Sequence, residues 1–393
     1  MTDRQMQSNN LNRMIFTLGI LLMLCIPHNL WNNLYAVLFA LAVILFYGRW
    51  SRRLPGGGIA GCIVLFLALC VLSPLWSYAP LSGLRTAVFY LTGAAFGLLS
   101  AGFFHSPGDT DSLFVGLYAA LILTSVYGLI RHFRGMDLYG VVIGDTVLPR
   151  LCATLEHAIN YAEFIALAFP LALVWALNRP GKRAQYVLLS LMALPLAALA
   201  LTYSRTGYIA LGFAFLILIR PWRKPWLMIA AAAVMLLLLP GTVQERALSL
   251  LTVSDVSASG RFTLWRECLS MLRQHWLPGT GLGTDNFLAA YLPCSTGTLP
   301  FTPPHSNMGY LEIFLSLGIV GGLAFLGFFF GIFPRLRRAI RTQENLYEKQ
   351  ILRALEASLA GAALANIPEH IWFYPRILFI WSVIYGLAYS FTS

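Results

Sequence analysis

The sequence predicts an all-α polytopic membrane protein with about twelve transmembrane helices and one large loop on the outside. Three observations lead to this fold class. Hydrophobic residues make up 58% of the 393 residues and charged residues only 11%, whereas soluble domains carry about a quarter charged residues. Apolar stretches of roughly membrane-spanning length recur along the chain. Clusters of basic residues fall on alternate connections between those stretches.

Each apolar stretch is assigned one membrane-spanning helix. The stretches are 14–27, 34–48, 59–76, 86–104, 112–130, 161–177, 185–202, 207–219, 226–240, 308–333, 351–367 and 371–390. They group into helices one to nine in residues 1–240, a large loop at 241–307 and helices ten to twelve in residues 308–393, all in one integral membrane domain. Because no small-residue cleavage site follows the first stretch, it is expected to be a retained helix rather than a signal peptide.

The basic residues orient the helices. With the N-terminus in the cytoplasm, the basic inside connections are RWSRR (49–53), NRPGKR (178–183), RPWRKP (220–225) and RLRRAIRTQENLYEK (335–349). This arrangement satisfies the positive-inside rule and leaves both termini cytoplasmic. The net charge of +11 therefore reflects topology, and no nucleic-acid partner is expected.

The basic residues assigned to the outside are all arginines. They are Arg85, Arg131, Arg134, Arg150, Arg205, Arg246, Arg261, Arg266 and Arg273. One explanation is snorkelling to lipid headgroups or pairing with carboxylates. The other is anion recognition, because the planar guanidinium fork matches phosphate oxygens.

Two outside stretches hold arginines in unusual settings. LTYSRTGYIALG (201–212) is a tight helical hairpin that holds Arg205 at the membrane surface. In SASGRFTLWRECLSMLRQHW (257–276), apolar residues recur at three- or four-residue spacing, which predicts an amphipathic helix in the outer interface. That apolar stripe consists of Phe262, Trp265, Leu269, Leu272 and Trp276. Arg261 and Arg266 lie off it. The Gly-rich PGTGLGTDNF (278–287) ends the helix, and without a preceding strand it is not expected to bind nucleotide.

A third stretch, FTPPHSNMGYLEIFLSLGIVGG (301–322), carries His305 just before an apolar helix. A lone interfacial histidine more often makes a structural hydrogen bond. Beside outside arginines at the hydrocarbon edge, however, it matches what chemistry on a lipid-linked diphosphate requires. The arginines would bind the diphosphate and stabilise it as a leaving group, and the imidazole would accept a proton from an attacking hydroxyl.

The landmarks TYSRTG, SGR…W, PGTGLGT and PHSN…LE…LGIVG occur in that order. The chain thereby resembles the O-antigen ligase and O-antigen polymerase superfamily of bacterial inner-membrane glycosyltransferases, and most of all the lipid A–core:surface polymer ligases. The resemblance implies a large periplasmic loop and a periplasmic active site. It implies metal-independent, inverting transfer of a glycan from undecaprenyl diphosphate, without a cofactor. Residue by residue, it implies His305 as the catalytic base and Arg205 and Arg261 as ligands of the donor diphosphate.

The spacing after His305 departs from the family pattern. In many members Asn directly follows the histidine and the next Glu lies five positions beyond it. In this chain Ser306 intervenes, Asn307 comes second and Glu312 lies seven positions on. Either the turn is longer here, or Asn307 takes part of the usual place of the histidine.

Among superfamily functions, ligation of O-antigen to the lipid A–core oligosaccharide in lipopolysaccharide biosynthesis is expected. The last helix ends the chain, which argues against protein O-oligosaccharyltransferases, and a single loop dominates. A repeat-unit polymerase is the alternative within the superfamily. A lipid-linked glycan transporter is the alternative from another class, but it should place ionisable groups near the bilayer midplane. The expected partners are the undecaprenyl-diphosphate-linked glycan, lipid A–core and membrane lipids.

Further polar residues near the outside ends of helices are candidates for supporting roles. They are Arg266, Arg85, Arg150, Asn307, Glu156, Asn160 and Arg376. Glu156 and Asn160 share a helical face, where they would orient sugar hydroxyls or cap the helix. Arg376 lies slightly within the last helix. It would be either a functional cation or the ion-pair partner of Glu369. Glu369 and His370 are both expected on the outside.

The cysteines and potential metal ligands predict little chemistry. Cys152, Cys268 and Cys294 fall outside, where a Cys268–Cys294 disulfide would staple the large loop, although the pairing cannot be deduced from sequence. No His/Cys/Asp cluster has metal-ligand spacing, so no bound metal is expected.

Overall fold

The computed structural model describes residues 3–27, 29–46, 57–137, 139–143, 146–155, 157–220, 241, 244, 256–299 and 302–392. Helices dominate this part of the chain. Its β-structure is one antiparallel hairpin, in which β1 (Gly140–Ile143) pairs with β2 (Thr146–Pro149). The structure fits the predicted class, an all-α membrane protein.

The helices of the described residues are numbered in chain order. They are α1 (Asp3–Cys25), α2 (Asn29–Phe46), α3 (Gly58–Leu72), α4 (Pro80–Phe103), α5 (Pro107–Phe133), α6 (Ala158–Leu177), α7 (Lys182–Leu191), α8 (Ala193–Leu201), α9 (Arg205–Ile219), α10 (Val256–Gln274), α11 (Thr284–Tyr291), α12 (Gly309–Thr342), α13 (Leu346–Ala365) and α14 (Pro375–Ser390).

Within the described residues, six helical segments are long and apolar enough to cross a membrane. They are Gly58–Leu75, Pro80–Phe103, Pro107–Phe133, Ala158–Leu177, Lys182–Leu201 and Gly309–Thr342. Shorter apolar helices cover Asn10–Cys25, Asn33–Ile44 and Arg205–Ile219. The predicted span at 226–240 lies outside the described residues, so a total of twelve stays a prediction.

Four loops meet at one end of the helix bundle, and we call them the rim: residues 150–155, 202–205, 302–308 and 366–374. Arg150 Nε donates to the carbonyl of Thr202 at 2.8 Å. The rings of His305 and His370 lie 5.5 Å apart, and Arg376, just after residues 366–374, donates from Nη1 to the carbonyl of Thr154 at 2.8 Å. The opposite end carries ion pairs between neighbouring helices, such as Arg13–Asp109 and Arg337–Glu356.

Small residues let the helices behind the rim pack closely. A Cβ on Gly386 of α14 would lie 2.0 Å from the carbonyl oxygen of Gly97 on α4. On α9, a Cβ on Gly207 would lie 2.4 Å from the Cβ of Ala162 on α6. Close contact between small residues drives helix association in lipid, where hydrophobic attraction between helices is weak. The contact at Gly207 fixes the first turn of α9, which begins with Arg205.

Helix α12 is broken at Gly318, and the Gly-rich turn docks on the break. Gly318 has φ 67° and ψ −168°, a conformation essentially restricted to glycine. The N–H groups of Thr280 and Gly281 donate to the carbonyls of Leu315 and Ser316 at 2.8 and 3.0 Å. Ile319 N–H donates in turn to the carbonyl of Trp276 at 2.8 Å. The motifs PGTGLGT and LGIVG therefore meet as one backbone joint.

The predicted amphipathic helix exists as α10, and it has two apolar faces. Leu264, Cys268 and Met271 are buried in a cluster with residues of α11 and α12. Of the predicted stripe, Phe262, Leu269 and Trp276 are 58%, 51% and 57% exposed, respectively. An exposed apolar stripe beside a packed face suits a helix that lies in a membrane interface.

The disulfide considered between Cys268 and Cys294 is absent. All six cysteines are free thiols. The sulfur of Cys294 instead accepts a hydrogen bond from Gln274 Nε2 at 3.6 Å, and Cys268 lies within the buried cluster. Packing and hydrogen bonds therefore hold this part of the loop.

Candidate active site at the rim

The turn that carries His305 is fixed from two helices. Ser306 N–H donates to Glu312 Oε2 of α12 at 2.8 Å, and Trp265 Nε1 of α10 donates to the carbonyl of Ser306 at 3.1 Å. Asn307 has φ 52°, a left-handed backbone that non-glycine residues seldom adopt. Ser306 thus anchors this turn to α10 and α12 through its backbone.

His305 is buried, with 7% of its surface exposed. Its ring packs on Phe373 at a centroid distance of 4.3 Å and on the edge of His370 at 5.5 Å. The backbone N–H of Asn307 donates to its Nδ1 at 3.1 Å. Burial lowers the pKa of His305 to about 4, so the ring is neutral at pH 7. Since Nδ1 accepts a hydrogen bond, the ring hydrogen sits on Nε2.

Arg261 reaches the rim from α10 and forms an ion pair with Glu369. The side chains of Arg261 and Glu369 are 24% and 10% exposed, respectively. Burial raises the pKa of Glu369, while the nearby positive charges of Arg261 and Arg150 act in the opposite direction. Because His370 follows Glu369 directly and packs on His305, the ion pair brings Arg261 into the neighbourhood of His305.

Arg205 is the first residue of α9, and its position is set by a tight cap. Ser204 Oγ accepts a hydrogen bond from Gly207 N–H at 3.3 Å, the usual role of an N-cap serine. Tyr203 just before it has φ 49°. Arg205, which is partly buried, therefore follows directly on a rim loop that Arg150 binds through Thr202.

Backbone strain collects at the rim. The described non-glycine residues with left-handed backbone are Ala153, Tyr203 and Asn307, one in each of three rim loops. Such conformations cost about 1–3 kcal/mol each and often mark functional sites.

The other residues named as candidates in the sequence differ in how close they lie to the rim. Arg150, Asn160 and Arg376 lie at or next to the rim. Asn160 is buried near Tyr374, and Arg376 Nη1 donates to the carbonyl of Thr154 at 2.8 Å. Glu369, the partner suggested for Arg376, forms an ion pair with Arg261.

Arg266 is exposed on α10 and takes no part in the rim contacts described above. Asn307 contributes its backbone N–H to His305. Glu156 lies outside the described residues.

The segment 366–374 contributes more to the rim than its sequence indicated. Glu369 is the partner of Arg261, and His370 packs edge-to-face on His305. Glu163 of α6 is buried close by, and burial together with the negative charges of Glu163 and Glu369 raises the pKa of Tyr374 to about 12. The sequence signal was the Glu-His pair just before the last helix, but nothing in the sequence showed that it meets Arg261.

Two cavities adjoin at the rim. The first, of about 370 Å³, is lined by polar groups that include Ser82, Arg85, Asp285, Glu312 and His370. The second, of about 280 Å³, is an apolar space between α3, α4, α12 and α14. Both are lined by Tyr90, Trp372 and Leu378. Arg85, a candidate phosphate ligand from the sequence, lines the first cavity.

Comparison with known families gives a match where these residues lie. The family model described as O-antigen ligase matches residues 187–326. The resemblance to the O-antigen ligase superfamily is confirmed. The O-antigen ligase match runs from α7 into α12 and contains Arg205, Arg261 and His305. It supports a membrane glycosyltransferase-type enzyme.

Other comparisons add less. A chain of a solved structure, described as showing structural coordination of polymerization and crosslinking by a peptidoglycan synthase complex, is similar over 84% of this chain and 96% of its own. The sequence identity is 18% and the TM-score 0.47. No curated protein matches the chain.

Proposed function

We propose that this chain is a bacterial inner-membrane glycosyltransferase that moves O-antigen from undecaprenyl diphosphate to lipid A–core. The observation that carries the proposal is that Arg261 and Arg150 both lie near Glu369, next to His370 and His305, while Arg205 begins a helix directly after the rim loop that Arg150 binds. Arg205, Arg261 and His305 lie inside the segment that matches the O-antigen ligase model. A cluster of guanidinium groups at one end of a helix bundle fits a diphosphate at the membrane surface.

In the proposed reaction, a hydroxyl oxygen of the acceptor attacks the anomeric carbon of the donor glycan. The bond from that carbon to the phosphate oxygen breaks, and its electron pair leaves with undecaprenyl diphosphate. Arg205 and Arg261 bind the diphosphate and stabilise the charge that develops on it. Attack from the face opposite the leaving group inverts the configuration, and an imidazole at the rim takes the hydroxyl proton.

The sequence predicts His305 as the candidate base for that proton transfer. Its Nε2 can accept a proton only when the ring hydrogen moves to Nδ1, which opens the contact with Asn307 N–H. Losing one such hydrogen bond costs about 1 kcal/mol. The base role of His305 therefore requires a small local rearrangement of the turn at 305–308.

The two adjoining cavities support an amphiphilic donor. The polar cavity offers hydroxyl groups and Arg85 to a glycan or phosphate, and the apolar cavity between α4 and α14 offers space for part of an isoprenoid chain. The shared wall of Tyr90 and Trp372 lies where headgroup and chain of such a lipid would join.

The proposed orientation places the rim in the periplasm and both termini in the cytoplasm. Basic residues at the opposite end support it, among them Arg179, Lys182 and Arg337, as the positive-inside rule requires for a cytoplasmic face.

The test uses purified full-length protein with undecaprenyl-diphosphate-linked O-antigen, with and without lipid A–core. We expect glycosylated core only when core is present. Longer carrier-linked chains without core would instead identify a repeat-unit polymerase. Arg205→Ala and Arg261→Ala should each abolish transfer while the protein still elutes as a folded particle. Full activity in both variants would overturn the assignment of the diphosphate site.

A further inference from the structure

His370 is a buried polar side chain that the proposed reaction has not used. It is 8% exposed, yet neither ring nitrogen has a hydrogen-bond partner among the described residues. Buried imidazole nitrogens normally find partners, and a group left without one calls for an explanation. His370 lines the polar cavity at the rim, so a ligand in that cavity can supply the partner.

His370 and Glu369 are neighbours with different surroundings. The carboxylate of Glu369 is bound by Arg261, and neither of these residues lines the polar cavity, whereas His370 does. Segment 366–374 thus carries the partner of Arg261 and a cavity-lining imidazole on adjacent residues. With the headgroup of the donor in the polar cavity, as proposed above, an acceptor hydroxyl that enters the same cavity would meet the anomeric carbon beside His370.

His305 and His370 differ in which nitrogen can accept a proton. The Asn307 N–H holds the Nδ1 of His305 as an acceptor, so its Nε2 carries hydrogen and donates. His370 has no such constraint among the described residues. Its ring lies 5.5 Å from that of His305 in an edge-to-face arrangement. Burial first, and then the neighbouring His305, hold the pKa of His370 well below its ordinary value, so the ring is neutral and one of its nitrogens has a free lone pair.

We infer that His370 is the base that takes the proton from the acceptor hydroxyl, with His305 as a hydrogen-bond donor beside it. The inference rests on the proposed function. The hydroxyl oxygen forms the new bond to the anomeric carbon, its proton passes to a ring nitrogen of His370, and the carbon–phosphate oxygen bond breaks toward the diphosphate. Negative charge of the bound diphosphate favours the imidazolium that results. The Nε2–H of His305 remains a donor throughout, and the edge-to-face contact with His305 positions the ring of His370.

The test measures glycan transfer to lipid A–core by purified full-length variants, with imidazole and 4-methylimidazole added as probes. His370→Ala should lower kcat by about 10²–10⁴-fold, the usual contribution of a general base. Because the alanine opens directly onto the polar cavity, added imidazole should restore part of the rate. The more basic 4-methylimidazole should restore more. His305→Ala should lose activity without rescue, since that ring does not line the cavity. His105→Ala, at the opposite end of the bundle, is the matched control.

Three results would overturn the inference. One is a wild-type rate in His370→Ala. The second is an equal rescue of His305→Ala by imidazole, which would return the base role to His305. The third is a larger loss in Glu312→Gln than in His370→Ala, because Glu312 also lines the cavity. His370→Gln replaces the alanine variant if the latter fails to fold. If wild-type protein transfers no glycan at all, the proposed function fails and this inference falls with it.

Discussion

Gly318→Ala is the substitution whose effect the structure defines most sharply. An alanine Cβ at this position would lie 1.9 Å from the carbonyl oxygen of Leu277, a backbone atom that can move only if the turn leaves its place. The backbone conformation itself costs about 1–3 kcal/mol for a residue other than glycine.

The substitution also threatens the hydrogen bonds of the joint. Thr280 N–H and Gly281 N–H donate to α12, and Ile319 N–H donates to Trp276. Each contributes about 1 kcal/mol, and displacing the turn loses some of them. We therefore expect Gly318→Ala to lower the free energy of unfolding by about 3–5 kcal/mol.

Thermal unfolding of the purified variant in detergent measures this effect, with a fall in Tm of roughly 5 °C or more expected. Gly212→Ala on α9 is the matched control, because no neighbour lies within 4 Å of its added Cβ. It should match or slightly exceed the wild-type Tm. A Gly318→Ala variant as stable as Gly212→Ala would refute the proposed joint between the Gly-rich turn and the broken helix.

Three further outcomes follow from the rim. Arg261→Lys keeps the charge but loses the guanidinium fork, so donor KM should rise at least tenfold, while the exposed Arg273→Lys should leave KM unchanged. Glu369→Ala leaves Arg261 without its carboxylate and should destabilise the protein by about 2–4 kcal/mol in chemical denaturation. The folded-state pKa of His305, about 4, lies below its unfolded value of about 6.5. Its contribution to stability is therefore present above pH 6.5 and falls by up to about 3 kcal/mol toward pH 4, and His305→Gln should flatten this dependence in unfolding curves.

Much of the fold could be predicted because apolar composition and charge pattern act locally along the chain. The position of α10 follows from its apolar spacing, and the cap of α9 follows from the TYSRTG stretch. Which face of α10 is buried could not be predicted from the sequence. Its apolar residues form two faces, and only the tertiary contacts with α11 and α12 decide which one is buried.

The candidate site was partly visible in the sequence. His305, Arg205 and Arg261 stand in recognisable stretches, whereas the meeting of Arg261 with Glu369 joins positions 108 residues apart. No local pattern encodes such a pair. The role of the Gly-rich turn was hidden for the same reason, because its partner is a break in a helix that reads as continuously apolar in the sequence.

Glycan transfer in detergent, where no sealed membrane exists, is the most direct measurement of whether this chain is an enzyme. Purified protein is mixed with undecaprenyl-diphosphate-linked O-antigen and lipid A–core, and both products are counted. We expect one undecaprenyl diphosphate released for each glycan attached to core. An intact donor, together with movement of the same lipid across reconstituted vesicles, would contradict the enzymatic assignment and identify a transporter.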